Sequence, residues 1–269
     1  MEVGHQHVHR AERVRRADEE VGAAGVGRGA AVARHYAGPE RRLLLVGRNA
    51  DRLAGVADAC REPGAEPAIV QADLADIDRA LARISEELAG GAPDIAVLSA
   101  GIGDMPRSPG ELETRELAIR VGLTNYVATS ALSTLVAEAM ARRGSGRIAI
   151  IGSVAGFFPL PMSPSYSGTK AGLETFAHAQ RIALAPRGVH VMYVAPGFVD
   201  TPMSRRLDCP KPLLVTAEKM AARIADSLER GKPQLVMPAP FGWLRGLSGL
   251  LPRPVLDRIL RAQKVYVNE

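Results

Sequence analysis

Short apolar runs recur along the chain, and longer segments with helical periodicity separate them. The apolar runs lie at residues 43–46, 68–70, 95–98, 148–151, 189–195 and 234–238. Runs without polar alternation are typical of strands that are buried on both faces. Segments rich in Ala, Leu, Glu and Arg lie at residues 51–60, 76–89, 113–142, 165–186 and 216–230. This alternation predicts a single α/β domain with a doubly wound parallel sheet.

The N-terminal part of the chain departs from this pattern. A first central strand should precede the glycine-rich stretch, but residues 10–20 read RAERVRRADEE. Charges buried without partners between parallel strands are costly. We therefore predict that residues 1–21 are helical or disordered and that the first strand is missing or irregular. The doubly wound domain is predicted at residues 22–240, followed by an amphipathic helical extension at residues 241–269.

The distribution of charge narrows the classes of partner. The chain has 269 residues and a formal net charge of +5. Its arginines are scattered and acidic residues are interleaved with them, whereas nucleic-acid-binding proteins usually concentrate basic residues on one face. We therefore predict no nucleic-acid partner. We expect the excess positive charge to attract an anionic cofactor or an acidic membrane surface instead.

Cysteine and histidine usage indicates an intracellular protein without a metal site. Cys60 and Cys209 lie far apart, which excludes a disulfide framework and a cysteine-based zinc site and fits a reducing cytoplasm. No apolar run reaches the roughly 18 residues that a membrane-spanning helix needs. The alternating His5, His7 and His9 have no supporting acid or cysteine nearby, and we interpret them as part of a flexible tail.

The strongest chemical signal is a tyrosine and a lysine four residues apart, with a serine upstream. Tyr166 and Lys170 share one face of a predicted helix, so the phenol and the ammonium can approach the same point. A lysine cation beside the phenol favours the phenolate, which suits general acid–base catalysis. Ser153 follows the apolar run at 148–151 and can polarise a carbonyl by donating a hydrogen bond. Together they predict a catalytic set.

These residues resemble the short-chain dehydrogenase/reductase superfamily over roughly residues 23–240. The serine and the Tyr-x-x-x-Lys motif of that family fall on Ser153, Tyr166 and Lys170. The resemblance implies a Rossmann-like fold that binds NAD(P), with Lys170 also holding the nicotinamide ribose. It further places the proline-glycine turn of the family on Pro196-Gly197, and it assigns contacts with the carboxamide to Val199 and Thr201.

Two more stretches carry the resemblance to the cofactor-binding half. The aspartate that contacts adenine falls on Asp73, and the Asn-Ala-Gly stretch falls on residues 99–101, which read Ser-Ala-Gly here. The family motif Gly-x-x-x-Gly-x-Gly allows two registers. Gly22, Gly25 and Gly27 make the motif one residue short. Placing its last glycines on Gly27 and Gly29, with Ala23 replacing the first, keeps the spacing and is the register we prefer.

The end of the second predicted strand bears on the choice of cofactor. An acidic residue there would bind the ribose 2′-hydroxyl of NAD, whereas an arginine accommodates the 2′-phosphate of NADP. The chain reads Gly47-Arg48-Asn49, so NADP is predicted and NAD is disfavoured. The predicted cofactor-binding residues are Gly25, Gly27, Gly29, Arg48, Asn49, Asp73, Ala100, Gly101, Tyr166, Lys170, Pro196, Gly197, Val199 and Thr201.

The family also has a catalytic asparagine, and its position here is ambiguous. By the resemblance it falls on Gly122, while Asn125 lies one turn later and could substitute for it. Two functions therefore stay open. The first is an NADP-dependent oxidoreductase acting on a small carbonyl or alcohol substrate, with Tyr166 as the general acid/base. The alternative is a catalytically impaired binding or scaffold protein. We expect a homodimer or a homotetramer in either case.

The C-terminal stretch is both apolar and basic. Leucine, valine and isoleucine side chains recur at helical spacing between residues 244 and 260, with arginines interleaved. Such a segment can cover the substrate cleft or a subunit interface, and this is the interpretation we favour. It can also make a weak contact with a membrane surface through residues 241–264. Residues 203–215 are predicted to form part of a lid over the substrate.

Overall fold

The computed structural model of the chain describes residues 19–24, 27–103, 111–248, 250–261 and 266–267. Alternating strands and helices build the predicted α/β architecture. The strands are β1 (Glu19–Ala24), β2 (Arg41–Gly47), β3 (Glu66–Gln71), β4 (Ile95–Leu98), β5 (Gly146–Ile151), β6 (Val189–Pro196), β7 (Val199–Asp200), β8 (Leu207–Asp208), β9 (Val215–Thr216), β10 (Gln234–Met237) and β11 (Tyr266–Val267). Seven of them form the main sheet, in the order β10-β6-β5-β4-β1-β2-β3. All pairs in this sheet are parallel, which confirms the doubly wound prediction.

Helices cover both faces of the sheet. They are α1 (Arg28–Tyr36), α2 (Ala50–Arg61), α3 (Ile77–Leu88), α4 (Arg115–Val121), α5 (Ala128–Arg143), α6 (Pro164–Leu184), α7 (Pro202–Arg205), α8 (Ala217–Glu229), α9 (Pro240–Ser248) and α10 (Arg253–Arg261). A π-helical segment at Gly122–Val127 joins α4 to α5. Two apolar clusters fill the space between sheet and helices, one on each face. The sheet is therefore buried on both sides, as its uninterrupted apolar runs predict.

The first strand corrects the prediction made from the N-terminal sequence. β1 lies between β2 and β4 at the centre of the sheet, so residues 19–21, which we assigned to a helical or disordered segment, belong to a central strand. The register sets Glu19 and Glu20 beside Arg41 and Arg42 at the amino end of the strand. The acidic pair thus occupies the end of the strand rather than its middle. Residues 1–18 lie outside the described part of the chain, as does the histidine tail.

The C-terminal extension consists of two short helices and one short strand. α9 and α10 follow β10, and β11 pairs in antiparallel fashion with β8 from the predicted lid segment. β7 and β9, which flank the predicted lid segment, pair in parallel and form another two-stranded sheet. In the parts of the chain that the structure describes, no helix combines the length and the apolar character needed to cross a bilayer.

Candidate active site

The predicted catalytic residues meet at the carboxyl edge of the sheet, where open α/β sheets bind their ligands. Ser153 follows the end of β5, and Tyr166 and Lys170 lie in the first turns of α6. The Lys170 ammonium lies 5.7 Å from the centre of the Tyr166 ring. A Cβ atom at Gly103 would lie 3.5 Å from the edge of that ring. The structure therefore brings the tyrosine, the lysine and the loop after β4 together.

Lys170 is buried to an unusual degree for a lysine. Only 1% of it is exposed, and its Nζ donates a hydrogen bond of 3.3 Å to the carbonyl of Ile151. Burial and the charge of Arg28 lower the pKa of Lys170 to about 7. The amine is charged below this pH and neutral above it. An anion placed beside it favours the charged form and raises its pKa. Arg28 begins α1, so its charge acts from the glycine-rich turn.

Ser153 is held in a tight turn after β5. Its Oγ accepts a hydrogen bond of 3.1 Å from the amide of Ala155, and the residue is 8% exposed. Because a hydroxyl has one proton to donate and two lone pairs to accept with, this contact leaves the Ser153 O–H available as a donor. The serine is thus fixed in place while its proton remains free for a bound carbonyl.

A buried tyrosine on β6 links the serine turn to the lysine helix. The Tyr193 hydroxyl donates to the carbonyl of Lys170 at 3.0 Å and accepts from the amide of Ser153 at 3.4 Å. Burial raises the pKa of Tyr193, which keeps the phenol protonated for the donated bond. A Cβ at Gly152 would clash with this hydroxyl. Gly152 and Tyr193 are therefore a matched pair, which no local motif in the sequence reveals.

Asn125 is bonded to the loop after β4. Its side chain is fully buried; the Oδ1 accepts from the amide of Ile102 at 2.7 Å and the Nδ2 donates to the Ile102 carbonyl at 2.8 Å. A Cβ atom at Gly101 would lie 3.2 Å from this Oδ1 and 3.4 Å from Lys170 Nζ. A Cβ at Gly122 would meet no atom within 4 Å. Of the two positions that the sequence leaves open for the family asparagine, Asn125 is therefore the one that borders the loop beside Lys170.

The glycine-rich turn lies at the start of α1. Gly27 has a φ of +91° and immediately precedes the helix, a conformation that glycine adopts without strain. A Cβ atom at Gly27 would lie 3.7 Å from the side chain of Thr201. Gly22 lies inside β1, whereas Gly29 is buried in the first turn of α1. This arrangement favours the register on Gly27 and Gly29. Gly25 lies outside the described residues.

A cavity of about 720 Å³ opens beside the ends of β2 and β3. Among the residues that line it are Arg48, Asn49 and Asp73, together with Arg79 and Arg83 of α3. The carboxylate of Asp73 accepts from the amide of Ala75, and Asn49 caps α2 by accepting from the amide of Arg52. The two α3 arginines were not predicted, because helical spacing brings them to this cavity only once β3 and α3 are packed.

The turn after β6 carries the remaining predicted contacts. The amide of Gly197 donates to the carbonyl of Met237 on β10, and Pro196 ends β6 in register with the same residue. Val199 is buried and pairs with Val215. Thr201 caps α7 by accepting from the amide of Ser204 at 3.3 Å. Ala100 and Gly101 are half-buried on the loop after β4.

The structure therefore gathers the described members of the predicted site along one edge of the sheet. In the described part of the chain, no group of three or more His, Cys, Asp or Glu residues could hold a metal ion. The strand order reverses between β1 and β4. A glycine turn lies at the start of α1, and a cavity opens beyond β2 and β3. These features are typical of an α/β protein that binds a dinucleotide.

Comparisons with known proteins give the family. The sequence profile of the family described as short chain dehydrogenase matches residues 21–211. An uncharacterized oxidoreductase of Mycobacterium tuberculosis is 35% identical over 224 residues, which cover 81% of this chain and 88% of the relative. Another from Streptomyces coelicolor is 32% identical over 235 residues, covering 86% and 91%. The chain belongs to the short-chain dehydrogenase/reductase family and is an oxidoreductase.

A solved structure extends this likeness to three dimensions. The short-chain dehydrogenase from Sphingobium yanoikuyae in complex with NADPH matches with a TM-score of 0.75 and 26% identity, over 91% of this chain and 98% of that one. The family binds NAD(P) and acts on small molecules.

Replacing Tyr193 with phenylalanine tests the link between the serine turn and the lysine helix. Tyr193→Phe removes both hydrogen bonds of the phenol and leaves the Ser153 amide buried without this partner. We expect the free energy of unfolding to fall by about 1–3 kcal/mol, measured by urea denaturation. Tyr36→Phe is the matched control, because the Tyr36 hydroxyl is buried and has no hydrogen-bond partner among the described residues. Equal losses in the two variants would contradict the assigned role.

Proposed function

We propose that the protein is an NADP-dependent reductase or dehydrogenase that acts on a carbonyl or alcohol, with Tyr166 as the general acid/base. The observation that carries this proposal is the buried ammonium of Lys170, 5.7 Å from the Tyr166 ring. A charge is costly to bury unless it serves anionic partners. The phenolate of Tyr166 and an anionic dinucleotide bound at this edge of the sheet would supply such partners.

Each catalytic side chain has a distinct task in this proposal. In the direction of reduction, bound NADPH supplies the hydride. The Ser153 hydroxyl donates a hydrogen bond to the carbonyl oxygen and polarises the bond. Tyr166 donates its phenolic proton to that oxygen as charge develops on it, and Lys170 stabilises the phenolate that remains. Asn125 holds the loop at Gly101 against Lys170 and thereby positions the lysine.

The residues of the cofactor half fit a dinucleotide. Gly27 and Gly29 open α1, whose N-terminus suits a pyrophosphate. Arg48, Arg79 and Arg83 line a cavity that also contains Asp73 and Asp76, so its basic residues outnumber its acidic ones. Three guanidinium groups favour an additional phosphate over the bare ribose of NAD. The likeness to a dehydrogenase solved with NADPH supports the same choice.

Two observations count against the alternative, a binding or scaffold protein without turnover. Asn125 borders the loop beside Lys170, where it can take the role of the family asparagine, and a central β1 precedes the glycine turn. We therefore keep the enzyme as the proposal. Its action as a cytoplasmic homodimer or homotetramer is part of the proposal as well.

Removing the phenolic hydroxyl tests the catalytic assignment. Tyr166→Phe should lower NADPH-dependent carbonyl reduction by about a hundred- to ten-thousand-fold, the usual contribution of a general acid, and should leave NADPH affinity nearly unchanged. Lys170→Ala should damage both turnover and NADPH binding. Steady-state rates over a panel of ketones and aldehydes, together with an NADPH fluorescence titration, measure the two effects. Normal turnover by Tyr166→Phe would overturn the mechanism.

Reversing the charge at residue 48 tests the cofactor preference. Arg48→Asp should shift the ratio of NADP to NAD affinity toward NAD by at least about tenfold, because a carboxylate repels the 2′-phosphate that the guanidinium attracts. Arg52→Asp is the matched control, since Arg52 is exposed in the same region but does not line the cavity. An unchanged ratio in Arg48→Asp would show that residue 48 does not read the phosphate.

A further inference from the structure

The helix α9 presents its apolar side to solvent. Trp243, Leu244 and Leu247 lie on one face at helical spacing, and they are 75%, 49% and 59% exposed. Globular proteins normally turn such a stripe toward the core. Something other than the described part of this chain must therefore account for it.

The opposite face of α9 packs against the body of the protein and includes its arginine. Arg245 lies 4.0 Å above the Phe157 ring and forms an ion pair with Glu174 on α6. Gly197 packs closely against Phe241. These contacts anchor α9 in its orientation, so the outward position of its apolar stripe is built into the fold.

The exposed apolar residues continue beyond α9. Leu250 and Leu251 follow it and are 81% and 41% exposed, and Val255 and Ile259 on α10 are about half exposed. Leu260, by contrast, is buried and holds α10 against the domain. We name the C-terminal apolar surface as Trp243, Leu244, Leu247, Leu250, Leu251, Val255 and Ile259. Clusters of exposed large apolar side chains mark interaction sites.

The charges around this surface are almost all positive. Residues 240–261 contain four arginines and one acidic residue, Asp257. Arg245 is paired with Glu174, while Arg253, Arg258 and Arg261 on α10 are exposed. The partner of the surface must therefore be apolar in its interior and negatively charged at its rim.

The charge distribution decides between a second copy of the chain and a membrane. A two-fold dimer would bring the same surface of two protomers together, so the arginines of one copy would face those of the other. An anionic bilayer offers acyl chains beneath a layer of phosphates and complements both features. Tryptophan is also favoured at the boundary between the two layers.

We propose that the C-terminal apolar surface binds anionic lipid bilayers, with α9 and α10 lying in the plane of the interface. The apolar side chains enter the acyl boundary while Arg253, Arg258 and Arg261 remain at the level of the phosphates. The helices lie on the membrane and do not span it. This binding is independent of the proposed catalytic function.

Co-sedimentation with vesicles tests the proposal on the full-length protein. We expect the protein to pellet at low salt with vesicles of phosphatidylglycerol and phosphatidylcholine in equal parts, and to remain in the supernatant with phosphatidylcholine alone. A variant with Trp243→Ser, Leu247→Ser and Leu250→Ser should lose at least about tenfold in bound fraction, because each change removes a large apolar side chain from the bilayer. These residues are exposed, so the fold should survive.

The matched control replaces three exposed apolar residues elsewhere. Leu112, Ile119 and Ile182 are 84%, 56% and 57% exposed, and their substitution by serine should leave pelleting unchanged. Circular dichroism verifies folding in both variants. Failure of the parent to pellet, equal pelleting with neutral vesicles, or equal losses in both variants would overturn the proposal. So would light scattering that shows a dimer held together by Trp243, Leu247 and Leu250.

Discussion

The candidate active site depends on burying one lysine ammonium at the carboxyl edge of the sheet. Lys170 is surrounded by the end of β5, the loop after β4 and the start of α6, and its hydrogen bond to Ile151 ties the helix to the strand. A Cβ at Gly156 would lie 2.9 Å from backbone atoms of Lys170 and Ala171. The turn after β5 can approach α6 this closely only because that residue is glycine, and the ammonium is enclosed as a result.

Two further side chains hold this enclosure together. Tyr193 joins the Ser153 amide to the Lys170 carbonyl, and Asn125 secures the loop after β4 at Ile102. Both are buried polar groups whose hydrogen bonds are satisfied, which rigidifies a site more than apolar packing alone does. Ser153, Tyr166 and Lys170 therefore depend on two further residues that hold the surrounding backbone in place.

The apolar runs predicted the sheet and its helices well, because strands buried on both faces have a distinctive sequence. β1 was missed because its apolar part is only four small or branched residues, Val21–Ala24, after two acidic ones. Asn125 was placed ambiguously because the π-helical segment at Gly122–Val127 changes the residue spacing within the helix. Tyr193, Arg28 and the α3 arginines reach the site through tertiary contacts between distant parts of the chain, which local patterns do not contain.

The pH dependence of NADPH affinity tests the role of Lys170 most directly. The pKa of Lys170 is lowered to about 7 in the free protein, so the amine is charged below that pH and loses its proton above it. An anionic cofactor stabilises the charged form and raises this pKa, so binding takes up a proton above pH 7. NADPH affinity should therefore fall as the pH rises from about 7 to 9, by at most about tenfold per unit for one proton. Lys170→Met should remove this dependence. A flat profile for the parent protein, or the same slope in Lys170→Met, would contradict the account.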